Sequence, residues 1–140
     1  EVISIMKKTL PLLLTALFIL MTPSWASAKC KIGNALGSWQ LKYRYNNGKI
    51  GICTYDLIGD LSIRGSCQDV ANTTSVDFFD GGFTIKPTCQ LTTWVIFPDG
   101  TLVSTSGKLI PGLGITTGRI VSRDGNGVLG GTFSTRRSAE

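Results

Sequence analysis

The sequence predicts an all-β protein: an antiparallel meander of about nine short strands closed into a small barrel. Three observations lead there: a phrase that recurs every 22 residues, apolar–polar alternation within it, and tight-turn residues between the copies. Gly37, Gly59, Gly81 and Gly125 are spaced by 22, 22 and twice 22, and four residues after each stands Leu41, Ile63, Ile85 or Leu129. The first three copies read GSWQLKY, GDLSIRG and GGFTIKP. Their apolar positions alternate with polar ones, the period of a strand with one buried face. A fifth copy would start at residue 103, and Val103 breaks it.

A 22-residue repeat fits either a hairpin unit or one rung of a β-solenoid. The turns favour hairpins. Asn46-Asn47-Gly48, Pro98-Asp99-Gly100 and RDGNG at 123 to 127 each carry residues suited to tight reversals between alternating segments. The expected strands are 38–45, 49–57, 60–67, 74–79, 82–86, 90–97, 101–109, 115–122 and 127–135, with no helix-period segment among them. Nine short strands with open edges would invite aggregation, so closure into a barrel is the expected solution. A two-sheet sandwich and a solenoid are the alternatives.

Residues 1–28 are set apart from this fold. MKKTLPLLLTALFILMTPSWASA, from Met6, has two lysines, an apolar run over 10–21, and small residues at Ala26 and Ala28. That is the pattern of an export signal cleaved after Ala28. Its apolar run is too short for a membrane span of roughly 20 residues, and Lys29 before Cys30 argues against lipid attachment. Residues 29–140 then form a single disulfide-stapled β domain, with no transmembrane segment once the signal is removed. Twelve Lys and Arg (14 less Lys7 and Lys8) against eight acids (9 less Glu1) leave it near +4, without a long basic run. Nucleic acid is not an expected partner.

All four cysteines, Cys30, Cys53, Cys67 and Cys89, lie in that domain, and an even count in a short exported chain implies two disulfides. Three connectivities are possible. In a meander the repeated phrases occupy alternate strands, so Cys67 and Cys89 stand about 9.6 Å apart, beyond disulfide reach. Cys53 and Cys67 are equidistant from residue 60 and face each other across a hairpin, which leaves Cys30 for Cys89. A solenoid would stack Cys67 on Cys89 instead.

Gly37-Ser38-Trp39 at the start of the first strand, with Arg136 and Arg137 at the end of the last, resembles the arrangement of small calycin-like barrels: lipocalins, avidins and bacterial protease inhibitors. The resemblance implies a tryptophan, Trp39, at the closed end of the barrel under an arginine, taken as Arg136. The hairpin repeat also resembles MORN-type arrays, whose recurring tyrosines and tryptophans are not kept here.

The chemistry of the sequence points away from catalysis. The chain has no histidine, which excludes Ser-His and Cys-His pairs, and no G-x-S-x-G, H-E-x-x-H or phosphate-loop motif. No cofactor or metal is expected. Asp60, Asp80, Asp99 and Asp124 each adjoin a glycine, where aspartate forms turns. In TTWVIF, Trp94 shares a face with Thr92 and Ile96, opposite Leu91, Val95 and Phe97, so one of these two faces points outward. Trp94 and Ile96, with Tyr43 and Tyr45 on the Trp39 strand, are the expected ligand- or partner-binding residues. The function expected is a secreted or periplasmic, bacterial, non-catalytic binding module for a protein or small ligand, with inhibition of a hydrolase as its specific form. A small secreted enzyme using acids such as Asp77 or Asp80, and a structural envelope protein, are the alternatives.

Overall fold

A computed structural model describes residues 29–71 and 73–138. The expected export signal lies outside the described residues. The described residues open with one turn of helix, α1 (Ile32–Ala35), and then run through nine strands: β1 (Gly37–Tyr45), β2 (Ile50–Leu57), β3 (Ile63–Asp69), β4 (Ser75–Asp77), β5 (Asp80–Ile85), β6 (Gln90–Ile96), β7 (Leu102–Ile110), β8 (Ile115–Asp124) and β9 (Gly127–Arg137). All pair antiparallel in one sheet, ordered β4-β3-β2-β1-β9-β8-β7-β6-β5. Each neighbour pair is a hairpin except β1 with β9, which joins the two ends of the meander. The expected meander of nine strands is therefore the observed fold. Only α1 was not anticipated, because four residues are too few to show a helical period.

The sheet curls until its far sides meet. Ser62 bridges Gly82, and Phe83 N–H donates to Leu61 O at 3.1 Å, so β3 and β5 touch at one end. Toward the other end β4 pairs with β3 and fills the seam. The result is a barrel-like wall around one core. Trp39, Leu41, Tyr55, Leu57, Ile63, Phe83, Leu91, Val95, Leu109, Ile120 and Phe133 are all buried inside it. They come from eight of the nine strands, each of which turns alternate residues inward, while β4 is exposed throughout. The repeat now has a meaning: its copies lead into β1, β3, β5 and β9, the odd-numbered strands, and the broken copy falls on β7. One copy deviates, since Leu61 lies in the β2–β3 turn at φ 70° and is exposed.

Both disulfides of the meander are present. Cys53 and Cys67 are register partners on β2 and β3, with Cα atoms 4.0 Å apart. Cys30 and Cys89 join the N-terminal segment to the β5–β6 turn, with Cα atoms 5.0 Å apart. No Cys67–Cys89 bond forms, which removes the solenoid.

The core also holds four threonines, Thr93, Thr105, Thr116 and Thr135. The Thr93 and Thr105 hydroxyls bond each other across β6 and β7, and Thr135 Oγ1 bonds the Thr116 backbone. Thr116 Oγ1 is buried without a partner. An unpaired buried hydroxyl costs free energy that an apolar group of the same shape avoids. Thr116→Val is therefore expected to raise stability by about 1 kcal/mol in urea unfolding; a loss would mean that the hydroxyl is satisfied in solution.

Candidate functional site

The two ends of the barrel differ in kind. One is plugged. Trp39, 1% exposed, donates its indole N–H to Ala35 O at 2.8 Å, which holds α1 across the opening. The guanidinium of Arg137 lies 4.4 Å from the ring centroid of Trp39 and donates to Leu36 O at 2.6 Å and to Asn34 O. The tryptophan-under-arginine geometry is thus present, but the arginine is Arg137. Arg136 was the residue expected here; it faces outward and donates to Gln40 at 3.2 Å. The register explains the correction: Phe133, Thr135 and Arg137 share the inward face of β9, opposite Tyr43, Leu41 and Trp39.

The other end is open. The β1–β2, β3–β4, β6–β7 and β8–β9 turns surround a recess of about 350 Å³, lined by Tyr43, Tyr45, Val76, Phe97, Val103 and Leu129 with a polar rim. It is shallow, because below it the core is filled: only about 20 Å³ remains among Leu41, Cys53, Tyr55, Val95 and Ile120. Tyr43 and Tyr45 are half-buried, with ring centroids 5.0 Å apart. On the rim, Asp69, Asp99 and Asp124 each accept a backbone N–H two residues on, at 3.1, 2.9 and 2.8 Å. These bonds make them turn formers, as expected for Asp99 and Asp124. The bond from the Thr101 N–H also holds the Asp99 carboxyl below its usual pKa.

Burial raises the tyrosines. Tyr45 is pushed up to about 12 by desolvation and by neighbouring Tyr43, against a hydrogen bond with Ser122 that pulls it down. Tyr43 is raised by burial and by the Asp69 carboxylate, and Tyr55 is raised by burial alone. A phenol whose folded pKa exceeds its unfolded value contributes stability in full below pH 10 and loses that contribution as pH climbs toward the folded pKa. Stability is therefore expected to fall between pH 10 and about 12 as the phenols ionise, with tyrosinate absorbance at 295 nm rising in step with unfolding. Ionisation near pH 10 in the folded protein would contradict the burial of the pair.

Trp94 and Ile96 are not part of this recess. They lie on the outer face of β6, while Leu91, Val95 and Phe97 face inward. Trp94 is 38% exposed and lies flat on Gly82, where an added Cβ would come within 3.0 Å of its ring. The four residues expected to bind a partner thus fall into two groups on two surfaces.

Asp77 and Asp80 line a third depression of about 610 Å³ at the β3–β5 seam, with Asp60, Arg64 and the exposed Phe79. Asp60 is held below its usual pKa by bonds from Ser62, its hydroxyl and its N–H, and Asp80 accepts the Gly81 N–H at 2.8 Å. These bonds fix turns. Among the described residues no three potential ligands of His, Cys, Asp or Glu type are grouped to hold a metal ion.

No family model matches the chain, and no curated protein matches it. Its fold is shared with designed barrels. It superposes on a fluorescence-activating β-barrel of de novo design with a TM-score of 0.61 at 17% identity, over 76% of this chain and 96% of that one. It also superposes on EF1p2_mFAP2b bound to DFHBI, with a TM-score of 0.66 at 13% identity, over 81% and 98% of the two chains. At these identities the likeness is one of fold: an all-β, barrel-like protein. No calycin family is identified by these comparisons.

Proposed function

We propose that the protein is an exported, non-catalytic binding module that receives a small ligand, or a side chain of a protein partner, in the recess at the open end. The carrying observation is the contrast between the ends: a plugged end built on Trp39 and Arg137, and an open recess faced by two half-buried tyrosines over a filled core. Aromatic and aliphatic walls with polar groups that fix orientation are the usual make-up of a recognition pocket, and here Tyr43, Tyr45, Phe97, Val103 and Leu129 stand beside Lys49, Asp69, Asp99 and Asp124. A fold that accommodates DFHBI in a designed barrel supports the small-ligand form. The shallowness of the recess favours a ligand, or part of one, that is only partly engulfed. Two disulfides fit an oxidising compartment outside the cytoplasm. Among the described residues no helix is long and apolar enough to cross a membrane.

The non-catalytic reading is supported by chemistry: the sequence has no histidine, and at the seam Asp60 and Asp80 are engaged by the N–H groups of Ser62 and Gly81. Inhibition of a secreted hydrolase is the first specific form to test. The experiment is a capture of partners from envelope and secreted fractions on the immobilised protein, repeated with Tyr43→Ala and Tyr45→Ala, alongside a hydrolase substrate panel. Capture weakened by both tyrosine changes is the expected result. Turnover abolished by Asp77→Asn or Asp80→Asn would replace the binding module with an enzyme.

A further inference from the structure

The outer wall opposite the seam carries a charge pattern that the recess does not use. Along β1, β9, β8 and β7 the outward positions hold Lys42, Arg44, Arg136, Arg119, Arg123 and Lys108, all exposed; among the described residues none of the outward positions on these four strands is a carboxylate, and Asp56 on the adjoining β2 accepts the Ser38 hydroxyl at their edge. The register groups them in rows. Lys42, Ser134, Thr117 and Lys108 stand side by side, and in the next row Arg44, Thr132 and Arg119 do so. Two rows nearer the open end are richer in apolar residues, interrupted by Ser104 and Arg123: Trp94, Ser104 and Val121, then Ile96, Leu102, Arg123 and Val128. Val128 is 66% exposed and Trp94 38% exposed. The acids Asp69, Asp99 and Asp124 gather on the rim of the recess instead. Cations thus cover the wall, while the mouth combines three carboxylates with Lys49.

We infer that this wall docks the protein onto an anionic lipid surface, with Lys42, Arg44, Lys108 and Arg119 over the headgroups and Trp94, Leu102 and Val128 entering the interface. Charge complementarity selects an anionic partner. Four adjacent strands, at roughly 4.8 Å per strand, spread the cations over a broad surface rather than focusing them on one ion. The apolar residues of those two rows select lipid among anionic partners, because tryptophan and aliphatic side chains are stabilised at the headgroup boundary whereas a soluble polyanion offers them nothing to enter. A second copy of the same wall would meet like charges.

The test uses the chain from Lys29 onward, which contains the whole sheet, the core and both disulfides, and so lacks the apolar run at 10–21. It is mixed with phosphatidylcholine vesicles with and without phosphatidylglycerol and followed by co-sedimentation and tryptophan emission. Expected are binding at least about tenfold tighter with phosphatidylglycerol, weakening as salt is added, and a blue shift of emission that Trp94→Phe removes. Arg44→Glu with Arg119→Glu should weaken that binding roughly tenfold or more. Lys42→Gln with Lys108→Gln serves as a milder pair should the first fold poorly by circular dichroism. Equal affinity for both vesicles, or none for the anionic ones at low salt, would overturn the inference. So would equally tight binding of heparin, which would mark the wall as a polyanion site.

Discussion

Trp39→Ala is expected to destabilise the protein by about 4 kcal/mol, the middle of the range for truncating a buried aromatic side chain. Three losses combine in this one change. The indole is 1% exposed, so its removal leaves a cavity at the base of the core. Ala35 O loses the indole N–H that ties α1 to the barrel, and Arg137 loses the ring on which it stacks at 4.4 Å. Trp39→Phe separates the terms, because it retains most of the ring and its stacking but not the hydrogen bond, and should cost about 1 kcal/mol more than the lost volume alone. Arg136→Ala should be close to neutral and Arg137→Ala should not, since only the second caps the tryptophan. Urea unfolding of the four variants checks the order. A small effect at Trp39 together with a large one at Arg136 would return the closing role to the residue first expected.

That exchange of adjacent arginines shows what the sequence made legible and where reading it alone stopped. Alternation located the strands because each has one buried face, and the Asn46–Gly48, Pro98–Gly100 and Asp124–Gly127 reversals set their order. The same alternation, counted from Phe133 through Thr135, places Arg137 inside and Arg136 outside, so that signal was present in the sequence. α1 was not legible, since four residues show no helical period and its place across the opening depends on Trp39 and Cys30. For Trp94, the sequence showed that one of two faces must point outward but not which. The choice was made by closure, which buries Val95 against the residues of β1 and β2. The basic wall was hidden for a related reason. Lys42 and Arg44 join Arg119 and Arg136 only through the β1–β9 pairing, between segments at opposite ends of the domain. Asp99 and Asp124 were correctly read as turn formers, yet their shared position around one recess needed the three-dimensional arrangement of turns far apart in the chain.

Removing the Cys30–Cys89 disulfide is expected to cost more than removing Cys53–Cys67, although the second pair lies within the sheet and the first ties down a terminal segment. The sequence separations are 59 and 14 residues. Loop-closure entropy then gives about 4 kcal/mol for the long link and about 3 kcal/mol for the short one. Native contacts point the same way. Cys53 and Cys67 remain held by the β2–β3 ladder when their bond is cut. Cys30 retains its N–H bond to Pro87 O at 3.0 Å, but the segment bearing α1 depends on little else besides Trp39 and Arg137. One local effect works against this order: Cys89 sits at φ 70°, a left-handed conformation that disfavours most side chains. Replacing Cys89 by Gly rather than Ser relieves that strain and should recover up to about 1 kcal/mol, so Cys30→Ser is paired with each in turn. Loss of both bonds together, about 7 kcal/mol, approaches the whole stability of a domain this size, and the reduced protein is expected to be largely unfolded at 37 °C. Urea unfolding of the two double-serine variants, with peptide mapping of the oxidised parent, provides the measurement. A larger loss at Cys53–Cys67 would mean that the N-terminal plug contributes little to the native state, and a Cys67–Cys89 peptide would overturn the meander itself.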